Sequence, residues 1–443
     1  MHPKNRLEIV NMRPTTSIEY IKNYSITPLG GFPIIEEETH SEVNEYLEEG
    51  TIYELDDFAA LAYSNNESPP NTLKKSTNPL VNNKSLEYSI PGNMSEVEGD
   101  DNEIIILPLT DKHGFIRKDE EITENDQPLK ALSADVVLRR ERKWLEMIDH
   151  WNSYMAGKFD IIKRRCRKGI PDSLRGRAWK HLCGAYFHMH IGKNKNVFDI
   201  VSQQSADPKY VEEIVKDLDR QFPEHELFSR QTPYGSRGKE DLFILLKSYT
   251  VLHPDDGYCQ AQAPIAAVLL MYMPLKDAFY CFVQICHKYL PGYFTRDMEQ
   301  IKIDGEVLKY IMKAKCPKIH FHLKKHLVEP SMYLIQWFMC VFCRTLPWPS
   351  VLRIWDMFFC EGIKVLFKVA LVIISETFGT KKAFDECPDQ GSILMKLKEL
   401  PKELLSEDVL IKKVLDTNLD EYDLERAHYR IIKNRKLRSD TYA

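Results

Sequence analysis

The sequence lacks the short motifs with which many enzymes hold a nucleotide or attack a carbonyl group. It contains no Gly-x-x-x-x-Gly-Lys-Ser/Thr phosphate-binding loop and no Gly-x-Ser-x-Gly nucleophile motif. The first absence argues against a chain that hydrolyses a nucleotide by itself, because that loop supplies the amides and the lysine that cradle the phosphates. The second absence argues against a serine hydrolase.

Long apolar runs are missing as well. The run Leu371-Val372-Ile373-Ile374 is far shorter than the roughly 20 apolar residues that a membrane-spanning helix needs. Residues 1–6 lead into a polar stretch with no apolar core, so no secretory leader is recognisable. We therefore expect a cytoplasmic protein with reduced cysteines, whose contact with plasma or vesicle membranes is at most peripheral.

Metal-ligand spacing is sparse in this sequence. Among the 10 cysteines, Cys340 and Cys343 have the two-residue spacing of a metal or redox pair. No second pair accompanies them, and they belong to an apolar helical run over 337–342. We expect buried, inert thiols and no metal site.

Charge is distributed unevenly along the 443 residues. Residues 1–130 contain 25 Asp and Glu against 11 Lys and Arg, whereas the whole chain has a net charge of −5. The acidic part is also rich in Asn, Ser and Pro, which predicts a largely disordered N-terminal region over residues 1–130. The remainder is mildly basic, which suits an anionic protein or lipid surface but lacks the strong bias of a nucleic-acid binder.

Helical periodicity recurs along the rest of the chain, whereas alternating strand patterns are scarce. A long helix is predicted from near Ser133, because Trp144, Ile148, Trp151 and Met155 form an i, i+4, i+7, i+11 stripe. Helical patterns follow over 211–220, 242–248, 261–273, 277–288, 305–314, 331–342, 349–359 and 363–378. We expect an all-α protein with a single large helical domain over 131–405 and a charged helical tail over 406–443.

Arg220 closes one of these helical patterns. Asp207 is a predicted N-cap, Pro208 suits the first helical position, and the set Val211, Ile214, Val215 and Leu218 forms one apolar face. Arg220 falls almost opposite that face, and Asp217 is placed to hold its guanidinium by a charge-assisted hydrogen bond. The alternative is a solvated cation that only complements the helix dipole.

Gln260 lies where a loop enters a buried helix. Residues 254–257 have the composition of a turn, and residues 261–273 form a nearly uncharged apolar stretch with Pro264 near its start. This position is a rigid mount for a polar side chain. The alternative is a glutamine that only satisfies backbone groups at the start of the helix.

An exposed arginine, Arg220, and a glutamine on a rigid segment, Gln260, match two requirements of GTP hydrolysis. The reaction requires a cation for the charge that grows on the transferred phosphoryl group, and an amide that orients the attacking water. A guanidinium can hydrogen-bond two oxygens at once, and an amide can donate and accept together.

Three motifs in order resemble those of the TBC (Tre-2/Bub2/Cdc16) family of Rab GTPase-activating proteins. They are Arg167-Lys168-Gly169-Ile170-Pro171 with Arg175 and Trp179, then Ile214-x-x-Asp217-x-x-Arg220, then Tyr258-Cys259-Gln260. Residues 355–362, with Trp355, Asp356, Glu361 and Gly362, match a further family segment. The matches run from residue 167 to residue 362.

The resemblance implies a specific function for these residues. Arg220 would be an arginine finger and Gln260 a glutamine finger that replaces the Rab's own water-positioning glutamine, with Asp217, Arg175 and Tyr258 in support. GTP and magnesium would be bound by the partner Rab, so the chain would need no cofactor and would be a GTPase activator acting in vesicle trafficking, with no independent hydrolase site. The alternative is a non-catalytic scaffold that binds a Rab and a PDZ protein, for which substituted finger positions would be typical.

Residues 257–271 and 344–348 are similar to the subfamily typified by the ezrin-complex, PDZ-binding microvillar TBC protein. Residues 111–116 resemble a stretch that precedes the domain in that subfamily, and we expect them to pack on it as a strap.

The ending Thr441-Tyr442-Ala443 resembles a PDZ ligand, although Ala443 replaces a larger aliphatic residue. Because alanine would bury less apolar surface in the PDZ pocket, binding would be weaker by about 1 to 2 kcal/mol. An ordinary frayed terminus is the alternative. The basic run that precedes this ending is typical of a solvated helix face, although it could also bind anionic lipid or an acidic partner. It consists of Arg430, Lys433, Arg435, Lys436 and Arg438.

Overall fold

The computed structural model describes residues 109–117, 133–190 and 196–442, the last five of them by backbone alone. These residues form helices joined by loops. The only bridges in the described ranges are two isolated pairs, Thr110 with Ile116 and Phe115 with His225. The prediction of an all-α fold is therefore confirmed. The acidic stretch up to residue 108 lies outside the described residues.

The first half of the domain begins with a helix that is shorter than predicted. It ends at Asp149, because His150 leaves the helical region with φ −116° and ψ 35°. Trp144 and Ile148 are buried in it, whereas Trp151 and Met155 lie in the next helix and are only partly buried. The helices in this half are α1 (Ala134–Asp149), α2 (Trp151–Gly157), α3 (Phe159–Lys168), α4 (Arg175–Cys183), α5 (Ala185–His190), α6 (Val197–Val201), α7 (Pro208–Leu218), α8 (Gly235–Leu252), α9 (Gln262–Leu270) and α10 (Leu275–Gln284).

The second half continues from a π-helical turn, Ile285–Tyr289, that extends α10. Its helices are α11 (Glu299–Lys315), α12 (Pro317–Lys325), α13 (Ser331–Phe338), α14 (Trp348–Glu361), α15 (Lys364–Thr377), α16 (Lys381–Asp385), α17 (Gln390–Lys398), α18 (Lys402–Leu405), α19 (Glu407–Asp416) and α20 (Glu421–Tyr442). None of the helices in the described part of the chain is long and apolar enough to span a bilayer.

The helix predicted over 331–342 ends early, at Phe338. Val341 and Phe342 have positive φ values of 47° and 58°, which a continuing right-handed helix does not allow. Cys340 and Cys343 therefore lie in a turn rather than in a helix, but both are buried, unpaired thiols as expected. Burial raises the pKa of Cys340 to about 11, so its thiol stays protonated at neutral pH.

The centre of the fold is α9, whose nine residues are all buried. This burial explains why the segment is apolar on every side, since a helix that touches solvent needs a polar face. The tail predicted to start at residue 406 packs onto the same core rather than standing apart. Leu410, Leu424 and Ile431 are buried in it, and Arg435 binds Glu306 of α11 at 2.9 Å.

Residues 109–117 cross the domain as the expected strap. The Ile116 amide donates to the Glu224 carbonyl at 2.7 Å, and the Glu226 amide donates to the Gly114 carbonyl at 2.8 Å. The Phe115 ring meets the Trp348 ring edge-on, with centroids 4.9 Å apart. The strap thus closes over the segment that follows Arg220.

Candidate functional site

Arg220 lies just beyond the end of α7. The helix begins as predicted, because the Asp207 carboxylate accepts a hydrogen bond from the Lys209 amide at 2.8 Å and Pro208 occupies the first turn. It ends at Leu218, so Arg220 belongs to the following turn rather than to the last helical turn. We call residues 219–222 the arginine turn. The Arg220 side chain is 47 % exposed.

The buried face of α7 differs from the predicted one. Val215 was expected on the apolar face but is 53 % exposed, whereas Asp217 is buried. A buried carboxylate is costly unless it is paired and hydrogen-bonded, so the contacts of Asp217 explain why it lies on that face.

The carboxylate of Asp217 joins the two segments that carry the predicted fingers. One oxygen accepts a hydrogen bond from Nη2 of Arg220, and the other accepts from the hydroxyl of Tyr258 at 2.6 Å. Burial and the Asp217 carboxylate raise the pKa of Tyr258, so the phenol stays protonated and acts as the donor. The contact expected between Asp217 and Arg220 is present, and Tyr258 adds a second one.

Gln260 lies in a loop, residues 253–261, which we call the glutamine loop. Gly257 has φ +63°, and a Cβ there would lie 2.3 Å from Tyr210 of α7, so the loop requires glycine at this point. The Cys259 amide donates to Oε1 of Gln262 at 2.9 Å. Gln262, rather than Gln260, therefore satisfies the backbone at the start of α9. Gln260 is exposed, and its side chain makes no hydrogen bond to the described residues.

The arginine turn and the glutamine loop are neighbours. Tyr258 precedes Gln260 by two residues, a Cα separation of at most about 7 Å. The bond from Tyr258 to Asp217 therefore fixes the glutamine loop beside the turn that contains Arg220. Both predicted finger residues are exposed, and both are attached to the same buried carboxylate through short links.

Arg344 holds the arginine turn from the other side. Its Nη2 donates to the Arg220 carbonyl at 3.1 Å and to Oε1 of Gln221 at 2.5 Å. Its guanidinium also lies 5.0 Å from the ring centroid of Phe222. Nothing in the sequence indicated this function, because Arg344 is 124 residues from Arg220 and no local spacing relates them.

An aromatic cluster supports the end of the arginine turn. Phe222 adopts a left-handed conformation, with φ 41°, which is uncommon for a residue with a side chain. Its ring centroid lies 5.6 Å from that of Trp348 and 6.4 Å from that of Phe115 in the strap. Packing against these rings offsets the local strain, so the strap contributes to the shape of the turn.

Arg175 does not touch the arginine turn or the glutamine loop among its described contacts. It is 4 % exposed, and its guanidinium donates to Asp356 at 3.2 Å and to the Ile170 carbonyl at 2.8 Å. The expected support of the finger segments is therefore indirect. The link passes through the Tyr272 ring beneath the guanidinium to Trp348, whose indole donates to the Tyr272 hydroxyl at 3.0 Å.

The first sequence motif and the segment 355–362 bind each other. Arg167 donates two hydrogen bonds of 2.6 Å to the carboxylate of Glu361, and the Ile170 amide donates to Asp356 at 2.7 Å. Burial disfavours the ionised form of Glu361, but the Arg167 hydrogen bonds hold its pKa below the usual value. These motif residues fasten α3 to α14 and lie apart from the exposed fingers in the contact network.

The sequence matches the model of the Rab-GTPase-TBC domain over residues 172–381. It is 42 % identical over 320 residues to TBC1 domain family member whacked of Drosophila melanogaster, covering 72 % of this chain and 86 % of that protein. This chain belongs to the Rab-GTPase-TBC domain family. The resemblance found in the sequence is therefore confirmed.

Two mouse TBC proteins are similar as well. TBC1 domain family member 10A of Mus musculus is 44 % identical over 318 residues, covering 72 % of this chain and 62 % of that protein. TBC1 domain family member 10B of Mus musculus is 42 % identical over 359 residues, covering 81 % of this chain and 44 % of that protein. This chain thus spans less than two thirds of the length of these relatives. The similarity agrees with the microvillar subfamily indicated by the sequence.

Comparison with solved structures shows the same fold. The TBC domain of a Chlamydomonas flagellar RabGAP superposes with a TM-score of 0.52 at 24 % sequence identity, covering 70 % of this chain and 100 % of that one. The all-α TBC architecture is thereby established for this chain.

Two of the three residues predicted to form a PDZ ligand, Thr441 and Tyr442, lie at the end of α20. The helix extends to Tyr442 and includes Thr441, whereas Ala443 lies outside the described residues. A ligand that binds a PDZ domain by strand addition is extended, so such binding requires these residues to leave the helix.

Proposed function

We propose that this protein is a GTPase-activating protein for a Rab-family GTPase and that it supplies Arg220 and Gln260 in trans. The observation that carries the proposal is the Asp217 carboxylate, which binds Arg220 and Tyr258 at once. This arrangement links an exposed guanidinium and the loop of an exposed amide to one buried carboxylate, which suits insertion of both groups into the nucleotide site of another protein.

Arg220 would neutralise the charge that develops on the γ-phosphoryl oxygens. Its guanidinium is planar and can reach two of those oxygens, and an aligned cation of this kind raises the rate by about 10³ to 10⁵ in GTPase complexes. The salt bridge to Asp217 holds the side chain in one orientation before the Rab arrives, which reduces the entropy lost on binding.

Gln260 would orient the attacking water. Its amide can donate to one group and accept from another, and the Cys259 amide of the loop is already paired with Gln262. The contact of Gly257 with Tyr210 and the hydrogen bond of Tyr258 to Asp217 fix the position of the glutamine loop against α7, the helix that ends just before Arg220. The Rab would hold the GTP and the magnesium ion, so no cofactor is assigned to this chain.

The test is single-turnover GTP hydrolysis across a panel of purified Rabs. Arg220→Ala should lower the stimulated rate by about 10³-fold or more, and Arg220→Lys should be nearly as damaging because a point charge cannot replace the fork. Arg426→Ala is the matched control, since Arg426 is an exposed arginine on α20, a helix that carries neither finger. Arg220→Ala also removes one partner of the buried Asp217 carboxylate, so we expect some loss of thermal stability, and the rates should be compared at a temperature at which both proteins are folded. Retention of most activity by Arg220→Ala on the cognate Rab would refute the assignment.

A non-catalytic scaffold that binds a Rab and a PDZ protein is the second candidate. Intact residues at both finger positions argue against it, and the same assay separates the two functions. A scaffold would bind a Rab of the panel without accelerating hydrolysis, and Gln260→Ala would leave the hydrolysis rate unchanged.

We place the activity on the cytoplasmic side of trafficking membranes, in keeping with a Rab substrate. Arg435 pairs with Glu299 and Glu306, so these ion pairs must open before Arg435 can bind anionic lipid.

A further inference from the structure

Three side chains with metal-binding atoms meet at the base of the glutamine loop. His253 follows the end of α8, Asp256 precedes Gly257, and His287 belongs to the π-helical turn after α10. One ring nitrogen of each histidine and one carboxylate oxygen of Asp256 lie within 4.8 Å of one another. No other such group of three is found among the described residues.

The geometry is close to that of a metal site. Ligand atoms bound to zinc at 2.0 to 2.2 Å in a tetrahedral site lie about 3.3 to 3.6 Å apart. Nε2 of His287 is 3.7 Å from Oδ2 of Asp256. The centroids of the His253 and His287 rings lie 3.8 Å apart, and the ring planes make an angle of 35°. A rotation of these rings about χ2, which is a broad torsion for histidine, would turn their nitrogens toward a common point.

The surroundings suit a bound cation with an open position. The three residues line a cleft of about 280 Å³ that Asp255 and Thr295 also line. His253 is buried, whereas the Asp256 and His287 side chains are 22 % and 32 % exposed, so an ion and a water could enter from that side.

Tyr249 already orients two of these groups. Its hydroxyl donates to Oδ2 of Asp256 at 2.9 Å and lies 3.2 Å from Nε2 of His287. These are the two atoms that lie 3.7 Å apart, so an ion bound to both would displace the Tyr249 hydroxyl from Nε2 of His287. The competing interpretation is a hydrogen-bonded cluster that holds the loop without a metal.

We propose that His253, Asp256 and His287 bind one divalent transition-metal ion and that this ion restrains the glutamine loop. Asp256 is bonded directly to Gly257, whose backbone packs against Tyr210 of α7. An ion bound to both Asp256 and His287 would connect the glutamine loop to the π-helical turn after α10. The importance of this restraint for Gln260 rests on the proposed function, whereas the metal site itself does not.

The binding test uses the full chain, stripped of metal with a chelator and then titrated with Zn²⁺ by calorimetry and with Co²⁺ by visible absorption. We expect one ion per chain. Asp256→Asn should weaken binding by at least about 100-fold, since loss of even an outer-shell partner costs about 10- to 100-fold. This variant keeps an oxygen that can accept from Tyr249, so it should stay folded, as circular dichroism would show. His287→Ala should also weaken binding, and His150→Ala, at an exposed histidine after α1, should bind like wild type.

A second readout tests the restraint without any Rab. Amide hydrogen exchange over residues 253–261 should slow by about tenfold or more when Zn²⁺ is added to wild type, and should not respond in Asp256→Asn. Absence of binding, or binding that is equal in Asp256→Asn and wild type, would overturn the site. Binding without slower exchange would overturn the restraint. Because neither measurement involves GTP hydrolysis, their failure would leave the proposed finger residues unaffected.

Discussion

The hydroxyl of Tyr258 connects the glutamine loop to Asp217, the residue that also binds Arg220, so Tyr258→Phe tests this connection directly. The change removes a 2.6 Å hydrogen bond to Asp217 and leaves the ring in place. A hydrogen bond to a charged group contributes about 1.5 to 3 kcal/mol, and Asp217 is 6 % exposed, so water can replace the lost donor only partly. If this free energy is spent on holding the catalytic arrangement, the stimulated rate falls by about 10- to 100-fold, at 1.36 kcal/mol per factor of ten.

The assay is single-turnover hydrolysis combined with chemical denaturation for Tyr258→Phe, Asp217→Asn and the double variant. In the double variant both partners of the bond are altered, so the two effects should not add. We expect a coupling free energy of about 0.5 to 3 kcal/mol in both the rate and the stability, as for residues in one hydrogen-bond network.

Additive effects in this cycle would refute the reasoning. The same is true if Tyr258→Phe hydrolyses GTP within about twofold of wild type while losing stability, because the bond would then serve only the fold. Tyr249→Phe is a useful comparison, since it also removes a phenol that donates to a carboxylate, at 2.9 Å from Asp256, but does not touch Asp217.

Three further variants examine the surroundings of the fingers. Arg344→Ala removes the donors to the Arg220 carbonyl and Gln221, and because Arg344 is exposed we expect a loss of only about tenfold in kcat with little change in KM, measured by steady-state kinetics; unchanged kcat would contradict this. Gly257→Ala should lower the free energy of unfolding by more than about 1 kcal/mol, since φ is +63° and Tyr210 occupies the space of the new methyl group; a melting temperature equal to wild type would argue against it. Burial lowers the pKa of His225 from 6.5 to about 4, so the unfolded chain binds the proton first as the pH falls. The stability contributed by this residue is therefore present above pH 6.5 and is lost as the pH falls through 4. The melting temperatures of wild type and His225→Gln should converge between pH 6.5 and pH 4.

Local sequence patterns predicted most of the helices and the all-α fold class, because apolar periodicity reports directly on which face of a helix is buried. The start of α7 at Asp207 and Pro208 was predicted correctly, since capping is decided by neighbouring residues. Helix ends were less predictable. The break at His150 and the early end of α13 at Phe338 depend on how the following chain packs rather than on propensity.

The contacts that shape the candidate site were the least accessible to sequence reasoning. Asp217 could be paired with Arg220 from their three-residue spacing. Support by Tyr258 was expected from the family resemblance alone, and Arg344 was not expected, because both reach the site from distant segments. The motif pattern placed Arg175 near the fingers, whereas its contacts lie in the buried network around Asp356. Motif order identifies a family, but it does not separate residues that act at the surface from residues that fasten helices.

We propose that Gln260 positions the attacking water in place of the Rab's own glutamine. The most direct measurement is single-turnover hydrolysis by a cognate Rab whose catalytic glutamine has been replaced by leucine. We expect the wild-type protein to stimulate this Rab strongly, whereas Gln260→Ala should not. Equal stimulation by wild type and Gln260→Ala, or loss of stimulation with both, would contradict it.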